Sequence, residues 1–208
     1  MKKRFLFSEI QRKLDHKNAL IITGMRQVGK TTLMKQIYDE LVESPKLFFD
    51  FDNPFDQKIF ESFDYTSLYD RLSNLAGGKK GRLHVFLDEI QNFPEITKIM
   101  KVLIDHHQVK FVVTGSSSFY LKNLFPESLT GRKFIYQLPP LSFKEFLHFK
   151  DKWPFEGFHE PNVKKILRKS ELIDAIRFAE DYEEYLHFGG FPEVALTPER
   201  AVKHQILK

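Results

Sequence analysis

Residues 21–32, IITGMRQVGKTT, pass from an apolar run through two glycines into Lys-Thr-Thr. The chain then continues with helical spacing, Leu33, Ile37 and Leu41 sharing one face. An apolar strand that breaks into a glycine turn and resumes at once as an amphipathic helix constrains a fold strongly. The strand has to be buried and the helix has to lie against it. Gly24, Gly29, Lys30 and Thr31 also fit the spacing G-x-x-x-x-G-K-[ST] without a gap. Glycines let the backbone wrap closely around phosphate oxygens. The N–H groups of the turn and of the following helix N-terminus then present positive potential. Lys30 can reach β- and γ-phosphates, and the Thr31 hydroxyl can sit on Mg2+. The expected nucleotide contacts are therefore Gly24, Met25, Arg26, Gln27, Val28, Gly29, Lys30, Thr31 and Thr32, with Thr31 a metal ligand.

The rest of the chain repeats the alternation. PKLFFDFDNP predicts a second strand, stopped at Asn53-Pro54. Residues 55–76 predict one or two helices. LHVFLDEI predicts a third strand, Pro94 opens a helix reaching about Asp105, and KFVVTGSSS predicts a fourth strand. SFYLKNLFPESL predicts a helix, and KFIYQLPPL a fifth strand closed by Pro139-Pro140. An N-terminal helix is expected within residues 4–16. Short strands alternating with helices argue for an α/β fold with a mostly parallel sheet covered on both faces. Beyond Ser142 only helical patterns remain, which sets an expected boundary near Pro140, with residues 1–140 as the core and 141–208 as a smaller helical part.

The third strand ends in Asp88-Glu89. Asp88 can hold the magnesium water shell beside Thr31, and Glu89 can orient or deprotonate an attacking water. Thr114 or Ser116, ending the fourth strand, can touch a γ-phosphate or position water. A hydroxyl there can equally cap the following helix. Arg132, just ahead of the fifth strand, can stabilise transition-state charge on its own chain's nucleotide or a neighbour's. Arg26 can contact nucleotide or a partner, and Asp50 and Asp52 suit turn capping. Adjacent residues on a helix face different directions, so His106-His107 and Glu183-Glu184 make no metal pair.

The 208 residues carry a net charge of +4 and no cysteine, which excludes disulfides and thiolate metal sites. No apolar run approaches the roughly 20 residues of a membrane helix. These features suit a soluble cytoplasmic chain. The modest positive balance fits a solvated surface, although VKKILRKS and KEFLHFKDKW leave nucleic acid as an alternative partner.

Together GMRQVGKTT, VFLDEIQ, VVTGSSS, SLTGRKF, QLPPLSFKEF and YLHFGGFPEVAL make the chain resemble bacterial and archaeal AAA+-superfamily ATPases that carry a C-terminal domain of unknown function. The resemblance implies a three-layer αβα P-loop fold with a five-stranded sheet in the order 5-1-4-3-2 and a small helical lid. It implies ATP and Mg2+ as ligands, with Lys30 and Thr31 on phosphate and metal, Asp88 supporting the metal and Glu89 activating water. Thr114 or Ser116 matches the first sensor and Arg132 the arginine-finger region. No residue clearly matches a second sensor arginine; Arg168 and Arg177 are candidates only by being basic and lying in the helical part. Residues 189–192, GGFP, resemble the approach to the C-terminal domain, most of which this chain lacks. Self-association or a protein partner follows from the same likeness. Two outputs are weighed: Mg2+-dependent ATP hydrolysis, and a nucleotide-gated binding module that hydrolyses little.

Overall fold

The structure is a computed structural model that describes residues 1–61, 64–115, 129, 131–155 and 177–208. It divides into two compact units, Ile10–Leu138 and Met1–Glu9 together with Pro139–Lys208. A short helix, α1 (Leu6–Gln11), crosses from one unit into the other.

In the first unit β1 (Ala19–Thr23) leads into α2 (Lys30–Glu40), then β2 (Lys46–Asp50), α3 (Pro54–Phe60) and α4 (Tyr65–Leu75). β3 (His84–Asp88), a 3₁₀ turn (Ile90–Asn92), α5 (Ile96–His107), β4 (Lys110–Gly115) and β5 (Lys133–Gln137) follow. All strand pairs are parallel, in the order β2-β3-β4-β1-β5. This is the expected order read from the other edge, with β4 standing between the loop strand and the acidic strand. Every residue of β1, β3 and β4 is buried. Since successive side chains point to opposite faces, burial of all of them requires cover on both faces, which is why these strands read as unbroken apolar runs. Ile21, Leu87, Phe111 and Val113 join Leu68 and Leu72 of α4 and Met100 and Leu103 of α5 in one core. Each such side chain contributes about 1.5–3 kcal/mol on full burial.

The helix boundaries follow local chemistry. The pattern over 55–76 resolves into two helices because a second cap, Asp64, falls inside it. Asn53 accepts the Phe55 N–H at the start of α3, and Asp64 accepts the Thr66 and Ser67 N–H groups at the start of α4. α2 ends at Glu40, so Leu41 is its C-cap rather than a third member of the buried stripe of Leu33 and Ile37. At the N-terminal edge of the sheet the fully buried Lys110 ammonium donates to the carbonyls of Lys13, His16 and Asn18 at 2.8, 2.8 and 2.6 Å. Arg82 donates to the carbonyls of Asp15, His16, Lys17 and Gln108. Two cations thus hold the turn that delivers the chain into β1. Burial, aided by the Arg82 charge and opposed by Asp15, pushes Lys110 down to about 7.

The second unit contains α6 (Phe143–Phe149), α7 (Ala179–Phe188), α8 (Pro192–Leu196) and α9 (Arg200–Ile206). Residues 1–9, which the sequence reading assigned to the core, belong here. The reason is a buried ion pair: Arg4 Nε donates to Glu145 Oε1 at 2.9 Å, and the Phe5 N–H reaches the same oxygen at 2.9 Å. Glu145 also completes a capping box with Ser142 at the start of α6. The PPLSF and GGFP stretches meet here, since the Leu141 N–H donates to the Gly190 carbonyl at 2.6 Å and the Tyr185 hydroxyl to the Leu141 carbonyl at 2.8 Å. Among the described residues no helix is long and apolar enough to cross a membrane.

Candidate functional site

The turn between β1 and α2 is shaped by close backbone approach. A Cβ on Gly24 would lie 2.3 Å from the Leu138 carbonyl oxygen, so no side chain fits there. This contact exists because the Leu138 N–H donates to the Thr23 carbonyl at 2.7 Å as the chain leaves β5. Gly29 stands at the N-cap of α2 with φ 91°, a conformation costly for residues with a side chain. It offers no side-chain cap to the first-turn N–H groups of α2, which a bound anion can then engage. Between the glycines Met25, Arg26 and Gln27 are exposed, Val28 is fully buried and Gln27 takes φ 64°. Thr31 is half-buried and Thr32 exposed on the first turn of the helix.

Lys30 is buried and folds back along the loop, its Nζ donating to the Met25 carbonyl at 2.8 Å. Burial lowers the pKa of this ammonium, the nearby Glu89 and Asp88 charges oppose that shift, and Arg26 adds to it. The carboxylates that the sequence placed on another strand are thus electrostatically in reach of Lys30.

Register explains the convergence. Thr23 pairs with Gly115, Leu87 with Val113, and Asp50 with Asp88. The loop and the acidic pair consequently leave the same edge of the sheet, two strand spacings or about 10 Å apart. Asp88 is buried, and the Thr114 hydroxyl donates to its Oδ1. The same hydroxyl oxygen accepts the Glu89 N–H at 3.2 Å. Glu89 turns off the strand in the left-handed region, φ 51° and ψ 50°. Its Oε2 accepts a hydrogen bond from the Gln91 amide. Gln91 lies within the VFLDEIQ motif, but its type alone suggests no role; only the 3₁₀ turn brings its amide back onto Glu89.

Other candidates lie apart from this group. Arg132 precedes β5, at the start of the strand rather than its end: the Ala19 N–H donates to the Arg132 carbonyl at 2.8 Å. A five-residue strand separates it from the loop, about 15 Å along the sheet. Its guanidinium donates to Asp105 at 2.7 Å, beside a cavity of about 760 Å³ lined also by Asp15, Asn18 and Arg82. That cavity belongs to the N-terminal edge and not to the turn between β1 and α2. Asp50 and Asp52 serve turns. Asp50 accepts the Asp52 N–H at 2.9 Å, and Asp52 accepts the Asn92 amide at 2.5 Å. His107 stacks on Tyr69, and Glu184 pairs with Lys150 and Lys203. Arg177 lies over the Phe178 ring. Ser116 and Arg168 lie outside the described residues, as does the predicted helix SFYLKNLFPESL.

The residues present suit a magnesium nucleotide. A cradle that only glycine fits, an uncapped helix start and a buried lysine match a triphosphate tail. The Thr31 hydroxyl and the second Asp88 oxygen are hard oxygen donors of the kind Mg2+ takes, often through water. Among the described residues no group of three or more His, Asp or Glu gathers as a separate metal site.

Residues 16–147 match the family described as AAA domain. An uncharacterized protein of Methanocaldococcus jannaschii is 30% identical over 207 residues, covering 100% of this chain and 43% of the relative. An uncharacterized protein of Haemophilus influenzae is 28% identical over 189 residues, covering 86% of this chain and 40% of its own length. The chain thus spans less than half the length of these relatives. Among solved structures, a Walker-type ATPase of Pyrococcus abyssi superposes with a TM-score of 0.54 at 15% identity, over 94% of this chain and 65% of that one. The Aeropyrum pernix ORC1 protein, solved in complex with DNA, gives 0.51 at 15% identity over 76% and 50%. Both likenesses are of fold.

Proposed function

Because the chain belongs to the AAA domain family, we propose that it binds ATP with Mg2+ at residues 24–32 and hydrolyses it. The observation that carries this reading is the meeting, at one sheet edge, of the glycine cradle and Lys30 with Asp88 and Glu89. Loop amides and the α2 N-terminus hold the phosphate oxygens, and Lys30 exchanges the Met25 carbonyl for β- and γ-phosphate oxygens. Glu89 takes a proton from water as the water oxygen attacks the γ-phosphorus in line. The bond from that phosphorus to the bridging oxygen breaks, and ADP leaves with the electron pair. Mg2+ held at Thr31 and Asp88 would supply neutralisation of charge on the β- and γ-oxygens. Thr114 keeps Asp88 and the Glu89 backbone in place.

The test separates binding from chemistry. Glu89→Gln should bind ATP with parental affinity while turnover falls by about 10²–10⁴-fold, the usual contribution of a positioned base. Lys30→Ala should lose binding. Parental turnover by Glu89→Gln, or parental affinity in Lys30→Ala, overturns the assignment.

The placement of Arg132 supports a slower second mode, the nucleotide-gated module. At the opposite edge, it cannot serve its own chain's nucleotide, so an isolated chain would hydrolyse slowly. DNA binding has less support. In KEFLHFKDKW, Lys150 and Lys152 pair with Asp181 and Glu184 rather than facing a partner. VKKILRKS lies outside the described residues, and the DNA belongs to the Aeropyrum neighbour, similar in fold alone.

A further inference from the structure

Resting on the reading of Glu89 as the base, we infer that Gln91 is its positioning residue, the group that fixes the Glu89 carboxylate where water is activated. Glu89 is held from three sides. Its N–H donates to Thr114, its backbone occupies the left-handed region, and its Oε2 accepts from the Gln91 amide. The first two fix the root of the side chain. A glutamate has three further torsions, so a fixed root leaves the carboxylate many positions unless its tip is also held.

The turn that carries Gln91 is itself rigidly seated. Ile90, between the two residues, is fully buried in the core. The Asn92 N–H donates to the Glu89 carbonyl at 3.1 Å, and the Asn92 side chain reaches Asp52 at 2.5 Å, tying the turn to the end of β2. The Gln91 amide is therefore presented from a frame anchored in two strands. Lys30 on α2 feels the charges of Glu89, of Asp88 on β3 and of Arg26 on the loop. Gln91 adds a neutral donor to this set. It orients the carboxylate without forming a competing ion pair. The residue type matters. A glutamate in its place offers an acceptor where a donor is needed, and a lysine or arginine would pair with Glu89 outright.

Steady-state hydrolysis by the 208-residue chain and three variants tests this, with ATP affinity and melting temperature measured beside it. Gln91→Ala should lower kcat about tenfold, a part of what a positioned base contributes, with KM for ATP within about twofold of the parent. Gln91→Glu should lower kcat further, again with KM for ATP within about twofold of the parent, because an ionised carboxylate cannot donate to Glu89 and leaves its tip unheld. Parental kcat in Gln91→Ala overturns the inference, as does parental kcat in Gln91→Glu. Glu89→Gln distinguishes the two levels. If it is silent while Gln91→Ala is unaffected, only the role of Gln91 fails. If it turns over like the parent, the reading of Glu89 fails and Gln91 with it.

Discussion

Gly24 shows what one hydrogen atom in place of a side chain does for the site. The Leu138 oxygen lies 2.3 Å from where a Cβ would stand, and backbone on both sides leaves nothing flexible to yield. Gly24→Ala must push β1's end and the residue after β5 apart, at a cost of roughly 1–3 kcal/mol, the range for overpacking a tight site. We expect its melting temperature to fall, and the stabilisation that ATP gives the parent to shrink, in calorimetry with and without nucleotide. An unchanged melting temperature and ATP shift would mean that the cradle does not depend on this contact. The motif spacing marked Gly24 as a glycine by its own chemistry. The sequence did not reveal that Leu138, more than a hundred positions later, is what requires it.

At the scale of elements, the strands and most helices were legible because their signals are local. Apolar runs gave β1, β3 and β4, and capping residues gave α3, α4 and α6 their starts. The N-terminal segment was not legible in this way. Its membership in the second unit depends on Arg4 reaching Glu145, a link that neither segment's periodicity carries. Burial alone would raise the Glu145 carboxyl. The Arg4 hydrogen bond and charge, with the Phe5 and Ser142 N–H groups, outweigh it and hold the carboxyl below its ordinary value of 4.5. A carboxyl lowered on folding stabilises above the unfolded value and loses that contribution as pH falls through the folded value. Glu145→Gln should therefore melt below the parent at neutral pH, with the difference narrowing as pH drops below about 4.5. Arg4→Met, which leaves a buried carboxylate without its partner, should cost about 3–5 kcal/mol by denaturant titration at pH 7. Equal stability of Arg4→Met and parent would show that the segment is held by something else.

For the whole molecule the edge on which a group lies decides what it can do. Parallel strands send the turns after β1, β3 and β4 to one edge and those before β1, β4 and β5 to the other. Arg132, paired with Asp105, falls on the second. If Arg132 serves a second copy, Glu89→Gln and Arg132→Ala chains, each inactive alone, should regain turnover when mixed, since one keeps the base and the other the guanidinium. Turnover of the mixture no higher than that of either variant alone removes Arg132 from catalysis. Its position in the sequence, near other site motifs, gave no hint of this separation, because distance along a chain does not report the direction in which a strand runs.

By itself the sequence determined the buried strands, the glycine cradle before α2 and the acidic end of β3. Each follows from spacing or residue type within about a dozen positions, where backbone geometry links neighbours directly. Tertiary structure alone decided which groups meet: Thr114 on Asp88, 26 positions apart, and Arg4 on Glu145, 141 apart. It also set Arg132 away from the loop. Strand order and direction join or part such residues, and both are set by burial of the whole sheet rather than by any one segment.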